Sequence, residues 1–198
     1  GATAGSTIQF VGEGSSLTMS QDATLASGVT LDLNGGTLDC GDYRLSMGEG
    51  SNTSIIKNGS ITGSNNNGLI AIENNCAIDF QNITFSNAAK QYAIRSYKSE
   101  TTNVSISVDA NTTFANSDYA LFMNTPHTTV TNYSTIGISS SGSMSWSDNA
   151  TINNYGTLNY GVNTDATNGG NNMTFNNHAG TMNILKGTYS GCTFTVDG

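Results

Sequence analysis

A short sequence pattern recurs along this chain about every two dozen residues. In each repeat a Thr or Ser directly precedes a large apolar residue. The pairs are Thr37-Leu38, Ser60-Ile61, Thr84-Phe85, Thr113-Phe114, Thr135-Ile136, Thr157-Leu158 and Thr181-Met182, and their successive spacings are 23, 24, 29, 22, 22 and 24 residues. A fixed period of this size indicates a solenoid or another array, because antiparallel sandwiches have no reason to keep one period.

Each repeat contains three short strings in which apolar and polar residues alternate, such as VTLDL (29–33), GTLDCG (36–41) and YRLSMG (43–48). Alternation with a period of two is typical of a strand with one buried face. We therefore predict an all-β, single-domain parallel β-helix (solenoid) of about seven to eight coils, each of 22–29 residues with three short strands. Residues 29–198 are expected to form the β-helix, and residues 1–28 an N-terminal cap or incomplete coil.

Stacking of coils about 4.8 Å apart places equivalent residues in columns. The apolar members of the repeated pairs predict one inner column, and the Thr and Ser members predict an outward ladder. The corner before each pair is expected to take the left-handed conformation that Gly and Asn tolerate. The aligned corner residues are Gly35, Asn58, Asn82 and Asn111. In the later coils Tyr133, Tyr155 and His178 lie at this corner, so we predict that the two tyrosine rings stack.

Composition disfavours several classes of partner. The net charge of −8 arises from 14 acidic and 6 basic residues, and Arg95 and Lys98 are the largest basic grouping, so nucleic acid is not expected to bind. No apolar run approaches the roughly 20 residues of a membrane helix, so no membrane insertion is expected in this segment. Cys40, Cys76 and Cys192 match no disulfide framework and no CxxC pair, which favours free thiols. The alternative is one disulfide bond with one free cysteine. We expect no cofactor and no metal site.

The strings VTLDLNGGTLDC and SIIKNGSITGS, with their Asn-rich corner, resemble the right-handed parallel β-helix of the pectate-lyase-like superfamily. The coils NNYGTLNYG and NNHAGTMNI resemble bacterial surface and autotransporter-passenger adhesins. The resemblance covers residues 29–198. It implies either a surface-exposed binding protein or an enzyme that cleaves polysaccharides, with clustered carboxylates or with calcium-binding Asp residues and an Arg base.

Two carboxylates are the candidates for catalysis. Asp32 and Asp79 are expected to point outward from first strands two coils apart, with Ile55 between them. Their separation would be about 9–10 Å from the coil rise, at or beyond the limit of about 9.5 Å for an inverting glycosidase. We therefore favour solvated surface residues over a catalytic pair. His127 and His178 stand in no catalytic or metal-binding spacing, and structural roles are expected for both.

The residues expected to contact a ligand are Tyr92, Arg95, Tyr97, Tyr119 and Trp146, which lie near strand ends where rings can stack on sugars. The expected function is a secreted or cell-surface bacterial β-helix, adhesin-like, that binds carbohydrate or a host or cell-surface ligand without catalysis. The alternative is a polysaccharide-active lyase or glycoside hydrolase of the pectate-lyase-like superfamily. The strand-like C-terminal sequence FTVDG is compatible with a segment of a longer surface protein.

Overall fold

A computed structural model describes residues 1–73, 75–88, 92–97, 103–115, 119–125, 127–136, 148–160, 169–184 and 188–197. These residues contain no helix and form a parallel β-solenoid of about six turns with three parallel sheets. The predicted all-β parallel solenoid is thereby confirmed. The turn count is lower than the seven to eight coils expected.

The strands follow the repeat in chain order. The first are β1 (Thr7–Gln9), β2 (Ser16–Thr18), β3 (Ala23–Leu25), β4 (Thr30–Asp39), β5 (Leu45–Met47), β6 (Thr53–Gly63), β7 (Ile70–Ile72), β8 (Cys76–Asn87) and β9 (Tyr92–Tyr97). They are followed by β10 (Val104–Val108), β11 (Thr113–Ala115), β12 (Tyr119–Asn124), β13 (Thr128–Asn132), β14 (Thr135–Ile136), β15 (Thr151–Asn154) and β16 (Thr157–Tyr160). The last are β17 (Gly169–Asn171), β18 (Thr174–His178), β19 (Thr181–Ile184), β20 (Thr188–Ser190) and β21 (Thr193–Asp197).

Three walls arise because every strand pairs in parallel with its counterpart one turn away. The first wall, called here the first sheet, has the order β1-β4-β6-β8-β10-β13-β15-β18-β21. The long strands β4, β6 and β8 turn the corner and continue into the second wall, where β2 and β11 also pair with them. The second wall resumes in β14-β16-β19, and the third consists of β12-β9-β7-β5-β3 with the pair β17-β20.

The inner column is built as the repeat predicts. Leu38, Ile61, Phe85 and Phe114 are register partners, and so are Ile136, Leu158 and Met182. Phe85 is fully buried, stacks on Phe114 at 5.2 Å between ring centroids, and meets Phe80 edge to face at 5.2 Å. Aromatic contacts of this kind add to the free energy of burial, so these rings anchor the middle turns.

The corners follow the predicted conformation in the early turns and depart from it at Asn111. Asn58 and Asn82 have φ values of 60° and 55°, and Gly35 has a φ of 75°. Asn111 has no positive φ, so the left-handed expectation for it is wrong. In its turn the Asp109 side chain shapes the corner, because its carboxylate accepts the N–H of Asn82 at 3.0 Å and that of Thr112 at 2.8 Å.

In the later turns the interior changes from apolar side chains to an asparagine ladder, defined by Asn132, Asn154 and Asn177. The first two are completely buried, and they replace the apolar register partners Phe80 and Val108 of earlier turns. Asn132 donates from Nδ2 to Oδ1 of Asn154 at 2.8 Å, and Asn154 donates likewise to Asn177 at 2.7 Å. The interior of these later turns is therefore held partly by side-chain hydrogen bonds between successive turns.

Candidate functional site

Asp32, a sequence-derived candidate for catalysis, is held in a closed network. Its carboxylate accepts the N–H of Asn34 at 3.0 Å and Nδ2 of Asn58 at 3.1 Å, and it pairs with Nζ of Lys57 at 3.7 Å. Burial raises the pKa of this carboxyl, but the hydrogen bonds from Asn34 and Asn58, the charge of Lys57 and a bond from Gln9 outweigh burial and lower the pKa overall. A buried, ionised and fully engaged carboxylate of this kind stabilises a corner.

Asp79 does not share a column with Asp32. Ile55 pairs with Asp79 as expected, but it also pairs with Thr30, whereas Asp32 pairs with Lys57. The two carboxylates are therefore offset along the strand as well as by two turns. Oδ2 of Asp79 accepts Nε2 of Gln81 at 2.6 Å. The expected alignment of Asp32 and Asp79 as outward residues of one column is wrong.

The predicted contact residues Tyr92 and Arg95 lie together on the third wall. The Arg95 guanidinium carbon is 5.8 Å from the centroid of the Tyr92 ring, within the range of a cation–π contact. Nη1 of Arg95 also donates to Oδ1 of Asn67 at 2.5 Å. The guanidinium is therefore committed to groups of this protein, which reduces what it offers to a ligand.

The other predicted contact residues are only partly placed. Tyr119 is the register partner of Tyr92, and Tyr97 pairs with Asn124, so both lie on the same wall one turn apart. Their side chains, together with the whole of Trp146 and Lys98, lie outside the described residues.

The corner residues Tyr133, Tyr155 and His178 form a continuous stack, which confirms the predicted contact of the two tyrosines. The ring centroids are 4.7 Å and 4.5 Å apart, and the interplanar angles are 15° and 14°. Nδ1 of His178 lies 2.8 Å from Oδ1 of Asp197. Tyr155 is 44% exposed, but it stacks on Tyr133 and on His178, so both faces of its ring are covered. Tyr133 is 46% exposed and stacks on Tyr155 through one face. The stack therefore covers the coil edge along these turns.

A groove along the first sheet is the site that sequence reasoning missed. It has a volume of about 540 Å³ and crosses the corner that precedes β8, β10 and β13. Its polar lining includes Glu49, Asn75, Asn103, Ser105, His127 and Thr129. Cys76 and Val104 contribute buried apolar surface to the same groove. Ligand sites combine concavity, apolar surface and a few polar groups in this way.

At this corner, main-chain N–H groups form hydrogen bonds between successive turns. The N–H of Gly50 donates to the carbonyl of Asn75 at 2.9 Å, and the N–H of Cys76 donates to the carbonyl of Asn103 at 3.2 Å. The N–H of Asn103 donates to Oδ1 of Asn75 at 2.8 Å. The N–H groups of Gly50, Cys76 and Asn103 are therefore already engaged within the protein.

Cys40 and Cys76 are buried free thiols, and Cys192 is half-buried. Burial raises the pKa of Cys40 to about 12, with a further contribution from the charge of Asp39, and raises that of Cys76 to about 11. Both thiols are therefore neutral near pH 7. Cys76 adds apolar surface to the groove and is a poor nucleophile there.

Within the described residues, no group of three or more His, Cys, Asp or Glu side chains is arranged to hold a metal ion. A search of the same residues for a helix with the length and apolarity to cross a membrane found none.

These features define a parallel β-solenoid with a groove that crosses successive turns and combines apolar surface with a few polar side chains. Comparisons with protein-family models, with curated proteins and with solved structures found no match to this chain. The architecture and the groove are therefore the basis for any functional assignment.

Proposed function

We propose that this chain is a secreted or cell-surface bacterial β-helix, adhesin-like, that binds carbohydrate on a host or cell surface and does not catalyse a reaction. We also propose that it belongs with the right-handed helices of the pectate-lyase-like superfamily. The three-walled parallel solenoid and its left-handed Asn corners support the second proposal.

The groove is the observation that carries the proposed function. It extends across several turns, so its polar groups recur at the coil spacing of about 4.8 Å and match a ligand that is itself a repeating chain. Asn75 and Asn103 provide amide groups, while Ser105 and Thr129 provide hydroxyls. Amides and hydroxyls both donate and accept hydrogen bonds, as sugar hydroxyls do.

The alternative function, a polysaccharide lyase or glycoside hydrolase, finds less support. Glycoside hydrolysis generally requires two carboxyl groups about 5–9.5 Å apart. Among the described lining residues of the groove, Glu49 supplies the single carboxylate. Asp32 is engaged at another corner, and its offset from Asp79 separates the only pair that the sequence suggested.

A glycan array paired with a reducing-sugar release assay tests this proposal. We expect the purified chain to bind a subset of the arrayed glycans and to release no reducing sugar from the bound polysaccharides. Release of sugar, abolished by Glu49→Gln, would establish the enzymatic alternative. Absence of binding to every arrayed glycan would contradict the carbohydrate-binding proposal.

A further inference from the structure

We infer that the groove binds a linear, neutral oligosaccharide along the solenoid axis and that His127 is the side chain that determines its specificity. The inference rests on the proposed carbohydrate-binding function and names the ligand class and a contact residue of the same groove. Three observations support it: the conformation of His127, the use of the backbone at the corner, and the charge of the groove.

His127 is an exception in a column of otherwise small corner residues. Each residue of this column lies two positions before a strand residue, and those strand residues are register partners along the first sheet. The column consists of Asn75, Asn103, His127, Asn149 and Asn172. The backbone of His127 is left-handed, with a φ of 59°, and Asn149 and Asn172 share this conformation at 62° and 54°.

Gly191, the last member of the same column, is also left-handed at 64°. Asn and Gly are the usual residues at such positions, because a bulkier side chain crowds the backbone there. The imidazole thus occurs at the one left-handed member of this column that lines the groove. A residue kept in a costly conformation beside a cavity is a reasonable indicator of function.

A hydrogen bond to the next turn stabilises the left-handed backbone of His127. The N–H of His127 donates to the carbonyl of Asp148 at 3.3 Å, and its side chain is exposed to solvent. The imidazole therefore contributes little to the core, and its two ring nitrogens, a donor and an acceptor in the neutral form, are available to a pair of hydroxyls.

The corner favours a sugar chain over a peptide. An extended peptide gains its affinity from main-chain hydrogen bonds to an open strand edge, but the N–H groups of Gly50, Cys76 and Asn103 are already used between turns. Oδ1 of Asn75 accepts from Asn103, which leaves Nδ2 of Asn75 to donate to a ligand. From the corner before β6 to His127 there are three turns, a span of about 14 Å, enough for a short oligosaccharide.

Charge favours a neutral ligand over a polyuronate. Glu49 lies in the groove, and the whole chain carries a net charge of −8. A carboxylate accepts two hydroxyl donors from a neutral sugar, whereas it repels an acidic one.

The test compares two substitutions at equivalent left-handed corners. His127→Gly removes the imidazole and keeps the backbone conformation, and Asn149→Gly makes the matched change one turn outside the groove. Binding of neutral tri- and tetrasaccharides of the cello-, xylo-, manno- and chito- series is measured by titration calorimetry, with trigalacturonate as the acidic comparison. Thermal unfolding of each variant is measured in parallel.

We expect the wild type to bind at least one neutral series and His127→Gly to weaken that binding by about tenfold or more. The variant should unfold at or above the wild-type temperature, because Gly relieves the left-handed strain. Asn149→Gly should bind as the wild type does. Full binding by His127→Gly overturns the role of His127 and leaves the proposed function intact. Tighter binding of trigalacturonate overturns the neutral ligand class. No binding of any glycan by the wild type overturns the proposed function itself.

Discussion

At the scale of single residues, the fold depends on polar side chains that are buried and satisfied. Asp32 is 8% exposed, yet it is ionised, because three hydrogen bonds and the charge of a lysine stabilise its carboxylate at the first corner. A carboxylate with this environment stabilises the folded state only while it is charged. Its contribution should therefore depend on pH.

We predict that Asp32→Asn costs stability at pH 7 and that this cost shrinks in acid. The pKa of Asp32 is lowered from its ordinary value of 3.8, so its stabilising effect is complete above pH 3.8 and is lost as the pH falls through the folded-state value. Urea unfolding of both proteins from pH 7 to pH 2.5 measures the difference in the free energy of unfolding. A difference that stays constant over this range contradicts the prediction.

At the scale of strands, the register explains which sequence predictions succeeded. The pairs from Thr37-Leu38 to Thr113-Phe114 do lie in register, because each strand pairs with the equivalent strand one turn away. Asp32 pairs with Lys57, and Gly36 pairs with Gly59. The segment between the two paired positions is two residues longer in β4 than in β6. Counting back from the Thr anchor cannot detect this irregularity, and it was the reason for the wrong alignment of Asp32 and Asp79.

The groove could not be predicted for a related reason. Its lining comes from residues that precede strands of successive turns, and their distance from the Thr anchors differs from turn to turn. One signal was present in the sequence: His127 stands where Asn149 and Asn172 stand in later repeats. That substitution becomes informative only when the register shows that all three occupy one left-handed corner.

The asparagine ladder is the strand-level feature most open to test. Asn154 accepts from Asn132 and donates to Asn177 and to the carbonyls of Gly156 and Thr181. Asn154→Ala should cost about 2–4 kcal/mol, because it leaves buried groups without partners and opens a cavity. The measurement is equilibrium denaturation.

The matched control for Asn154 is the preceding residue, Asn153. Asn153 points outward, is half-buried, and accepts one bond from Asn176 at 2.9 Å. Asn153→Ala should therefore cost less than about 1 kcal/mol. Equal losses for the two variants would show that the ladder contributes nothing beyond an ordinary surface amide.

At the scale of the whole molecule, a solenoid is held together by contacts between neighbouring turns. In such a protein stability is nearly a sum of the turns and their interfaces, and damage stays local. The inner surface is not uniform along the axis. Phe85 is fully buried between Phe80 and Phe114, whereas Phe194, on the edge strand β21, stacks on Phe175 at 4.8 Å and remains 54% exposed.

We predict that Phe85→Ala costs about 3–5 kcal/mol and that its effect is confined mainly to the turns containing β6, β8 and β11. The large cost follows from the loss of a buried ring and of two aromatic contacts, and the confinement follows from nearest-neighbour coupling. Phe194→Ala is the control and should cost about 1 kcal/mol or less, because about half of its ring is already exposed to solvent.

Denaturation measures the loss of stability in each variant, and hydrogen–deuterium exchange of peptides shows which turns are affected. In Phe85→Ala, exchange should rise most in β6, β8 and β11 and least in β18; a uniform rise along the chain would mean that the solenoid unfolds as one cooperative unit.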